Sequence, residues 1–199
     1  MQSDNRPLGR PRLFSIDRAL DDAIGLFELS GFDGTSVRVL ANDLGISQSS
    51  LYCALGHKEQ IFSKALDRFE EQVGFLDMRA LSDAPSLEEG VSQLSLVLIS
   101  RITRRGKVPG CLILSGGIAS IPANEAVVKD LRSRRGRHVR AISLALRAKM
   151  SSANAEATGL YIAAALTGLA VQARDGVGRA QLKSTVPFIA TGSLIRADQ

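Results

Sequence analysis

The segment from Thr35 to Lys58 constrains the fold of this 199-residue chain more than any other part. Apolar residues recur at helical spacing over two short stretches, and Gly45 separates them. Thr35 or Ser36 can cap the first predicted helix, and Ser47 can cap the second. Gly45 can end the first helix in a left-handed conformation. A third helix follows near Lys58, so the layout predicts a helix-turn-helix motif.

Two further amphipathic stretches flank the motif and can share one small core with it. Upstream, Ser15 can cap a helix whose apolar side reaches Phe27 and which ends at Gly31. Downstream, a long helix is predicted from Glu59. Lys58 then lies in a first helical turn, where free N–H groups and its ammonium can bind a phosphate.

The outward face of the second predicted helix carries Gln48, Ser49, Ser50 and Tyr52. Glutamine and serine can hydrogen-bond base edges, and serine and tyrosine can donate to phosphate oxygens. The face therefore suits a DNA major groove, although it has no arginine or lysine to bind a guanine. Taken alone, such a short polar face could equally be a solvated surface.

These residues together resemble the N-terminal domain of the TetR family of transcriptional regulators. The matching positions are Ala19, Phe27, Gly31-Phe32, Gly34-Thr35-Ser36, Leu40-Ala41, Gly45-Ile46-Ser47, Ser50-Leu51-Tyr52 and Gly56-x-Lys58-Glu59. Gly9-Arg10-Pro11-Arg12 is similar to the basic arm that precedes the first helix in one branch of that family. Cys53 and His57 depart from residues common in the family, which affects the phosphate geometry more than the fold.

The resemblance implies that Tyr52 and Lys58 contact the DNA backbone and that the arm lies along the neighbouring minor groove. The complete set of predicted DNA contacts is Arg10, Arg12, Thr35, Ser36, Arg38, Ser47, Gln48, Ser49, Ser50, Tyr52, His57 and Lys58.

Charge is unevenly distributed along the chain. The net charge is +5, yet residues 1–60 hold six basic and eight acidic residues, a net charge of −2. Residues 101–149 instead hold twelve basic residues against two acidic ones. DNA affinity must therefore come from a few placed cations and helix N-termini rather than from bulk charge. The cationic run at 132–138 is interpreted mainly as a solvated helix face, with an acidic ligand, a partner or DNA flanking the operator as the alternative.

Composition favours an ordinary globular protein of the cytoplasm. The hydrophobic fraction of 45% suffices for a packed core, and two cysteines cannot form a disulfide framework. The polar N-terminus has no signal-peptide pattern, and the apolar stretch from Leu160 to Ala173 is too short to span a bilayer. We expect no cofactor and no metal ion.

From about residue 61 onward the pattern is helical, so the prediction is an all-α protein with a DNA-binding domain at 1–60 and an effector-binding and dimerisation domain at 61–199. The predicted helices of the second domain run from about Glu59 to Leu81, Ser86 to Arg104, Gly110 to Ser120, Asn124 to Met150, Ala153 to Arg174 and Arg179 to Arg196.

The last two predicted helices carry apolar and small residues that could form the core or a partner surface. In TetR-like proteins the last two helices form the homodimer interface, which the resemblance implies here. The candidate interface residues are Gly159, Ile162, Ala163, Leu166, Ala170, Leu182, Val186 and Ile189.

The family also implies a cavity for a small effector between the long fourth helix and these last helices. Candidate lining residues are Phe69, Phe75, Leu94, Leu98, Ile102, Cys111, Leu114 and Ile118, all of which could instead be plain core. Near a helix start, the Cys111 thiol could have a lowered pKa and sense oxidants or electrophiles. The alternative is that Cys111 is a small buried hydrophobe.

The predicted function is a homodimeric transcriptional regulator, a repressor released from operator DNA by a small molecule. An enzyme is disfavoured because His57 and His138 have no metal-ligand spacing and Ser115-Gly116-Gly117 is not a nucleophile elbow. The second alternative is an interaction module or antirepressor that keeps the fold without specific DNA binding, which the acidic N-terminal domain makes conceivable.

Overall fold

The computed structural model describes residues 15–73, 77–104, 106, 108–116 and 124–194. Within these ranges all regular structure is helical, which confirms the predicted all-α class. No helix of the described ranges is long and apolar enough to cross a membrane. The helices are α1 Ile16–Gly34, α2 Val37–Leu44, α3 Gln48–Leu55, α4 Lys58–Val73, α5 Arg79–Ser82, α6 Leu87–Ile102, α7 Glu125–Leu146, α8 Ser152–Arg174, α9 Arg179–Ser184 and α10 Val186–Gly192.

Helix α1 packs against α4 through an aromatic cluster that anchors the N-terminal helices. The Phe27 ring meets the Phe62 ring edge-on at 4.8 Å between centroids, and the Phe32 ring lies 5.2 Å from Phe62. Gly31 interrupts α1 with φ of +70°, a conformation that favours glycine. The break allows Phe32 to turn back into the core, where it is buried.

An ion cluster joins α4 to α7. The buried Arg134 guanidinium donates to Glu70 Oε2 at 2.6 Å and to Asp130 Oδ1 at 2.9 Å, and lies 2.8 Å from Asp67 Oδ1. Arg135 donates to the carbonyls of Ile113 and Gly116. The interpretation of 132–138 as a solvated face is therefore wrong for Arg134, whose side chain is 4% exposed.

Helices α7 and α8 approach closely where Gly159 faces Ser143. A Cβ on Gly159 would overlap Ser143 Oγ and lie 3.1 Å from Ser143 Cα, so only glycine fits that crossing without a shift of the neighbouring helix. This contact lies inside one protomer.

Three predicted helices differ from the observed ones. Residues 112–116 form successive turns instead of part of a Gly110–Ser120 helix, because Gly110 has φ of +111° and Arg135 binds two of the carbonyls. The helix predicted from Arg179 to Arg196 divides into α9 and α10, since Pro187 has no N–H for the Lys183 carbonyl. The helix predicted from Glu59 to Leu81 is replaced by α4 and α5.

Candidate DNA-binding site

Capping hydrogen bonds fix the angle between α2 and α3. Ser36 Oγ accepts from the Val39 N–H at 3.2 Å, and Ser47 Oγ accepts from the Ser50 N–H at 3.1 Å. Between the helices, Gly45 has φ of +67° and its N–H bonds back to the end of α2. The Ile46 N–H bonds to the Ala41 carbonyl at 3.0 Å, which closes the turn. The predicted helix-turn-helix is therefore present.

Helix α3 presents a polar face to solvent because Leu51 and Leu55 are fully buried on its other side. The side chains of Gln48, Ser49, Ser50 and Tyr52 are all exposed, as is Ser47. Ser47 Oγ lies 2.8 Å from both Ser49 Oγ and Ser50 Oγ, so the three hydroxyls form one cluster at the N-terminus of α3. Hydroxyl and amide groups of this kind can contact base edges or phosphates.

Three predicted DNA contacts, of which Tyr52 and Lys58 are expected to bind the phosphate backbone, meet where α3 ends and α4 begins. The Tyr52 and His57 rings lie 5.3 Å apart, and Lys58 Nζ lies 4.1 Å from the centre of the Phe32 ring. Partial burial lowers the pKa of Lys58, although the nearby carboxylates of Asp33 and Glu59 act in the opposite direction. The His57 N–H donates to Gln60 Oε1 at 2.8 Å, and this bond partly caps α4. Free helix N–H groups and the ammonium together suit a phosphate.

The other predicted contacts fall in different places. Thr35 is 1% exposed and donates its hydroxyl to the Gly31 carbonyl at 2.7 Å, so its prediction as a DNA contact is corrected to a structural role. Ser36 and Arg38 are exposed on α2. Arg10 and Arg12 lie outside the described residues.

Sequence reasoning did not include Cys53 among the DNA contacts, although the structure exposes its thiol on α3. Helical spacing places Cys53 beside Ser49 and away from Leu51 and Leu55. That spacing alone could have identified it as part of the outward face.

Comparisons with known proteins identify the group to which the chain belongs. The sequence profile of bacterial regulatory proteins of the tetR family matches residues 19–65. The repressor BdcR of Escherichia coli is 27% identical over 92% of this chain and 91% of its own length. The TetR-family regulator CifR, solved with 26-base-pair operator DNA, is 32% identical with a TM-score of 0.83, over 92% of this chain and 98% of CifR. The chain belongs to the TetR family.

Other relatives agree with this assignment. The E. coli repressor ComR is 23% identical over 87% of this chain and 86% of its own length. The TetR-family protein SCO4454 of Streptomyces coelicolor shares the fold, with a TM-score of 0.76 at 15% identity. As a member of the TetR family the chain is a DNA-binding transcriptional regulator.

In this TetR-family chain, a cavity of about 630 Å³ lies between the DNA-binding helices and the rest of the molecule. Five predicted lining residues surround it, namely Phe69, Leu94, Leu98, Ile102 and Cys111. Leu114 is buried but does not line the cavity, and Phe75 and Ile118 lie outside the described residues. The sequence did not identify Ile24 and Glu28 of α1 or the buried His138 of α7 as lining residues. The helical spacing of apolar residues does not show which residues border a cavity.

Burial decides the state of two ionisable groups in the cavity wall. It raises the pKa of the Cys111 thiol to about 11 and lowers the pKa of His138 to about 4. Cys111 is therefore a neutral thiol at pH 7, which contradicts the lowered pKa expected for a sensor. His138 is a neutral imidazole at the same pH.

The residues predicted for the dimer interface lie inside one protomer. Each of the eight is less than 9% exposed, and Leu166 lines the cavity. This leaves almost no side-chain surface for a partner, so the residue assignment is corrected to the protomer core. The buried set is Gly159, Ile162, Ala163, Leu166, Ala170, Leu182, Val186 and Ile189.

Proposed function

We propose that this regulator is a homodimeric repressor of the cytoplasm that a small molecule releases from operator DNA. The observation that carries the proposal is the exposed polar face of α3, bounded by the Ser47 cap and by the cluster of Tyr52, His57 and Lys58. In a dimer, two such faces can enter successive major grooves of a palindrome. Repression is supported by the relatives BdcR and ComR, which are repressors by name.

The exposed apolar side chains of α8 and α10 supply the surface for the second copy. Leu160, Tyr161 and Phe188 are 61%, 41% and 78% exposed. Tyr161 Oη approaches Gly192, and Gly192 and Phe188 share one side of α10 at i and i+4. Tyr161 and Phe188 therefore lie on one surface, and the exposed Leu160 is the chain neighbour of Tyr161. Contiguous exposed apolar residues of this kind are typical of subunit interfaces.

The cavity is placed to couple effector binding to DNA binding. Its wall includes Ile24 and Glu28 of α1 and Phe69 and Val73 of α4, so a bound molecule touches both helices that carry α2 and α3. A ligand that favours the non-binding arrangement by only a few kcal/mol releases most of the operator. The proposal keeps residues 1–60 as the DNA-binding part and 61–199 as the effector and dimer part, with α1 reaching the effector.

An electrophoretic mobility shift with the DNA beside its own coding sequence tests the proposal. We expect a specific complex that competitor DNA of unrelated sequence does not remove and that weakens steeply with salt. Lack of any specific, salt-sensitive complex would refute the repressor and favour the interaction module, to which the acid-rich N-terminal helices also point.

A further inference from the structure

The cavity has an apolar wall and a cationic mouth. Phe69, Leu94 and Leu98 line the inside, whereas the exposed side chains of Arg101 and Arg104 lie where the cavity opens to solvent. Its volume of about 630 Å³ falls within the range of small-molecule sites, about 300–1,000 Å³. The two regions together are complementary to a ligand with an apolar body and a polar group at one end.

The mouth already stabilises one carboxylate. Asp77 accepts two hydrogen bonds from the Arg79 side chain, at 2.9 and 2.6 Å, and the pKa of Asp77 falls to about 2 mainly because of them. Arg101 adds to the same effect through its charge. Among the described residues, neither Arg101 nor Arg104 forms an ion pair. The mouth therefore carries more positive than negative charge.

The inside of the cavity disfavours an anion. The Glu28 carboxyl belongs to the buried wall, and its negative charge, which also contributes to the raised pKa of Cys111, would repel an anionic ligand group beside it. His138 is neutral at pH 7 and gives no compensating positive charge. An anionic group of a ligand is thus stable only at the mouth. The ligand must therefore lie with its charged end at the mouth and its apolar end inside the cavity.

We propose that the effector is an amphipathic carboxylate whose apolar body lies against Phe69, Leu94 and Leu98 and whose carboxylate binds Arg101 and Arg104. The proposal rests on the effector site described under the proposed function. A cationic ligand of the same shape is repelled at the mouth, and a neutral one gains nothing there.

Calorimetric titration with matched probes tests this class. One set is octanoate, 1-octanol and octylammonium, and the other is 4-phenylbutyrate, 4-phenyl-1-butanol and 4-phenylbutylammonium. In at least one set we expect the carboxylate to bind about tenfold more tightly than the alcohol, as charge-assisted hydrogen bonds allow, with the ammonium weakest. The preference should fall as salt is raised, because the arginines are exposed.

Variants test whether the preference for a carboxylate arises from Arg101 and Arg104 at the mouth of the cavity. The double variant Arg101→Gln, Arg104→Gln should bring the carboxylate's Kd to that of the alcohol and leave the alcohol's Kd unchanged. Arg132→Gln, at an exposed position of α7 outside the cavity wall, should keep the tenfold preference. Leu98→Trp, which narrows the cavity, should weaken every probe.

The outcomes separate this proposal from the proposed function. Any of three results would overturn the carboxylate class. The three head groups could bind equally tightly, or the carboxylate preference could persist in the double variant. In the third, Leu98→Trp would leave the binding of every probe unchanged, or no probe would bind at all. Operator binding is measured on the same samples without any probe. An intact mobility shift with a failed head-group preference leaves the repressor standing, whereas a failed mobility shift refutes the repressor whatever the probes do.

Discussion

At the scale of single residues, the end of α3 and the start of α4 determine how this regulator can hold a phosphate. The Lys58 ammonium lies over the Phe32 ring, so the Lys58 side chain has already lost part of its conformational freedom before DNA binds. His57 contacts Tyr52 from one side and donates its backbone N–H to Gln60. These contacts orient the groups that we propose face the DNA backbone, while Gln48 lies apart from them at the exposed start of α3.

Replacing Lys58 and Gln48 should have different effects. Lys58→Ala should weaken binding at all DNA sequences and reduce the slope of log K against log salt by about 1.8, since each protomer of the dimer loses one phosphate contact. Gln48→Ala should instead change which operator variants are preferred, by about 1–3 kcal/mol per affected base pair. Fluorescence anisotropy over an operator-variant panel at several salt concentrations measures both. Equal losses for Gln48→Ala across the whole panel would contradict its role as a base reader.

The neutral state of His138 predicts a pH-dependent stability. The unfolded chain takes up the proton near pH 6.5, whereas the folded chain does so only near pH 4. Stability from this group is therefore complete above about pH 6.5 and is lost as pH falls toward 4. Between pH 7.5 and 5 the loss should be about 2 kcal/mol.

Urea denaturation of wild type and His138→Leu at the two pH values measures this difference. The variant should lose about 2 kcal/mol less than wild type, and His57→Gln, at an exposed position, should behave like wild type. If the free energy of unfolding fell equally with pH in wild type and His138→Leu, burial of His138 would not be the cause of the pH-dependent stability.

At the scale of helices, α4 connects the DNA-binding helices to α7 through the Arg134 cluster. The Arg134 guanidinium forms ion pairs with Asp67 and Glu70 of α4 and with Asp130 of α7. Ser63 Oγ also donates a hydrogen bond to Asp130. Arg137 adds a second contact to Glu70 at 3.1 Å. Because α4 also borders the cavity proposed for the effector, we expect a change there to act on a helix that α7 holds in place.

Removing the centre of this cluster should be costly. Arg134→Met leaves three carboxylates without their buried partner and should lower the free energy of unfolding by about 3–5 kcal/mol. Arg132→Met, an exposed neighbour on α7, should change it by less than about 0.5 kcal/mol. Urea unfolding followed by circular dichroism measures both. Similar small changes for the two variants would mean that the cluster contributes little.

Local sequence signals predicted some helices well and others poorly. The caps at Ser36 and Ser47 and the left-handed turn at Gly45 depend on adjacent residues, so the sequence is sufficient to place α2 and α3. The turns at 112–116 depend on Arg135, which lies far along the chain, and no local pattern reveals that contact. The exposed apolar positions of α8 and α10 were also missed, because small and apolar residues occur on both sides of these helices.

At the scale of the whole molecule, the proposed mode of DNA recognition requires two copies. The outward face of each α3 carries no charged group, and the acid-rich helices around it give no general attraction for DNA. In the proposed dimer, duplication through the surface of Leu160, Tyr161 and Phe188 doubles the number of placed contacts and fixes their spacing.

Breaking that surface should separate the copies. Phe188→Glu places a charge in the proposed interface and should yield monomers in sedimentation analysis, with operator affinity reduced by at least about tenfold. Leu144→Glu provides the matched control, because Leu144 is an exposed apolar residue of α7 that borders Met78 and Ser82 beside α5. A dimeric Phe188→Glu variant with full operator affinity would place the interface elsewhere.

Hydroxyl-radical footprinting of the protein on its own upstream DNA tests the central claim most directly. Two α3 faces in successive major grooves predict two protected half-sites of related sequence, with centres about one helical turn apart, roughly 10 base pairs or a multiple of it. Protection should vanish in Lys58→Ala at moderate salt. A single unrepeated patch of protection, or a footprint that Lys58→Ala and Gln48→Ala leave unchanged, would contradict recognition by paired α3 helices.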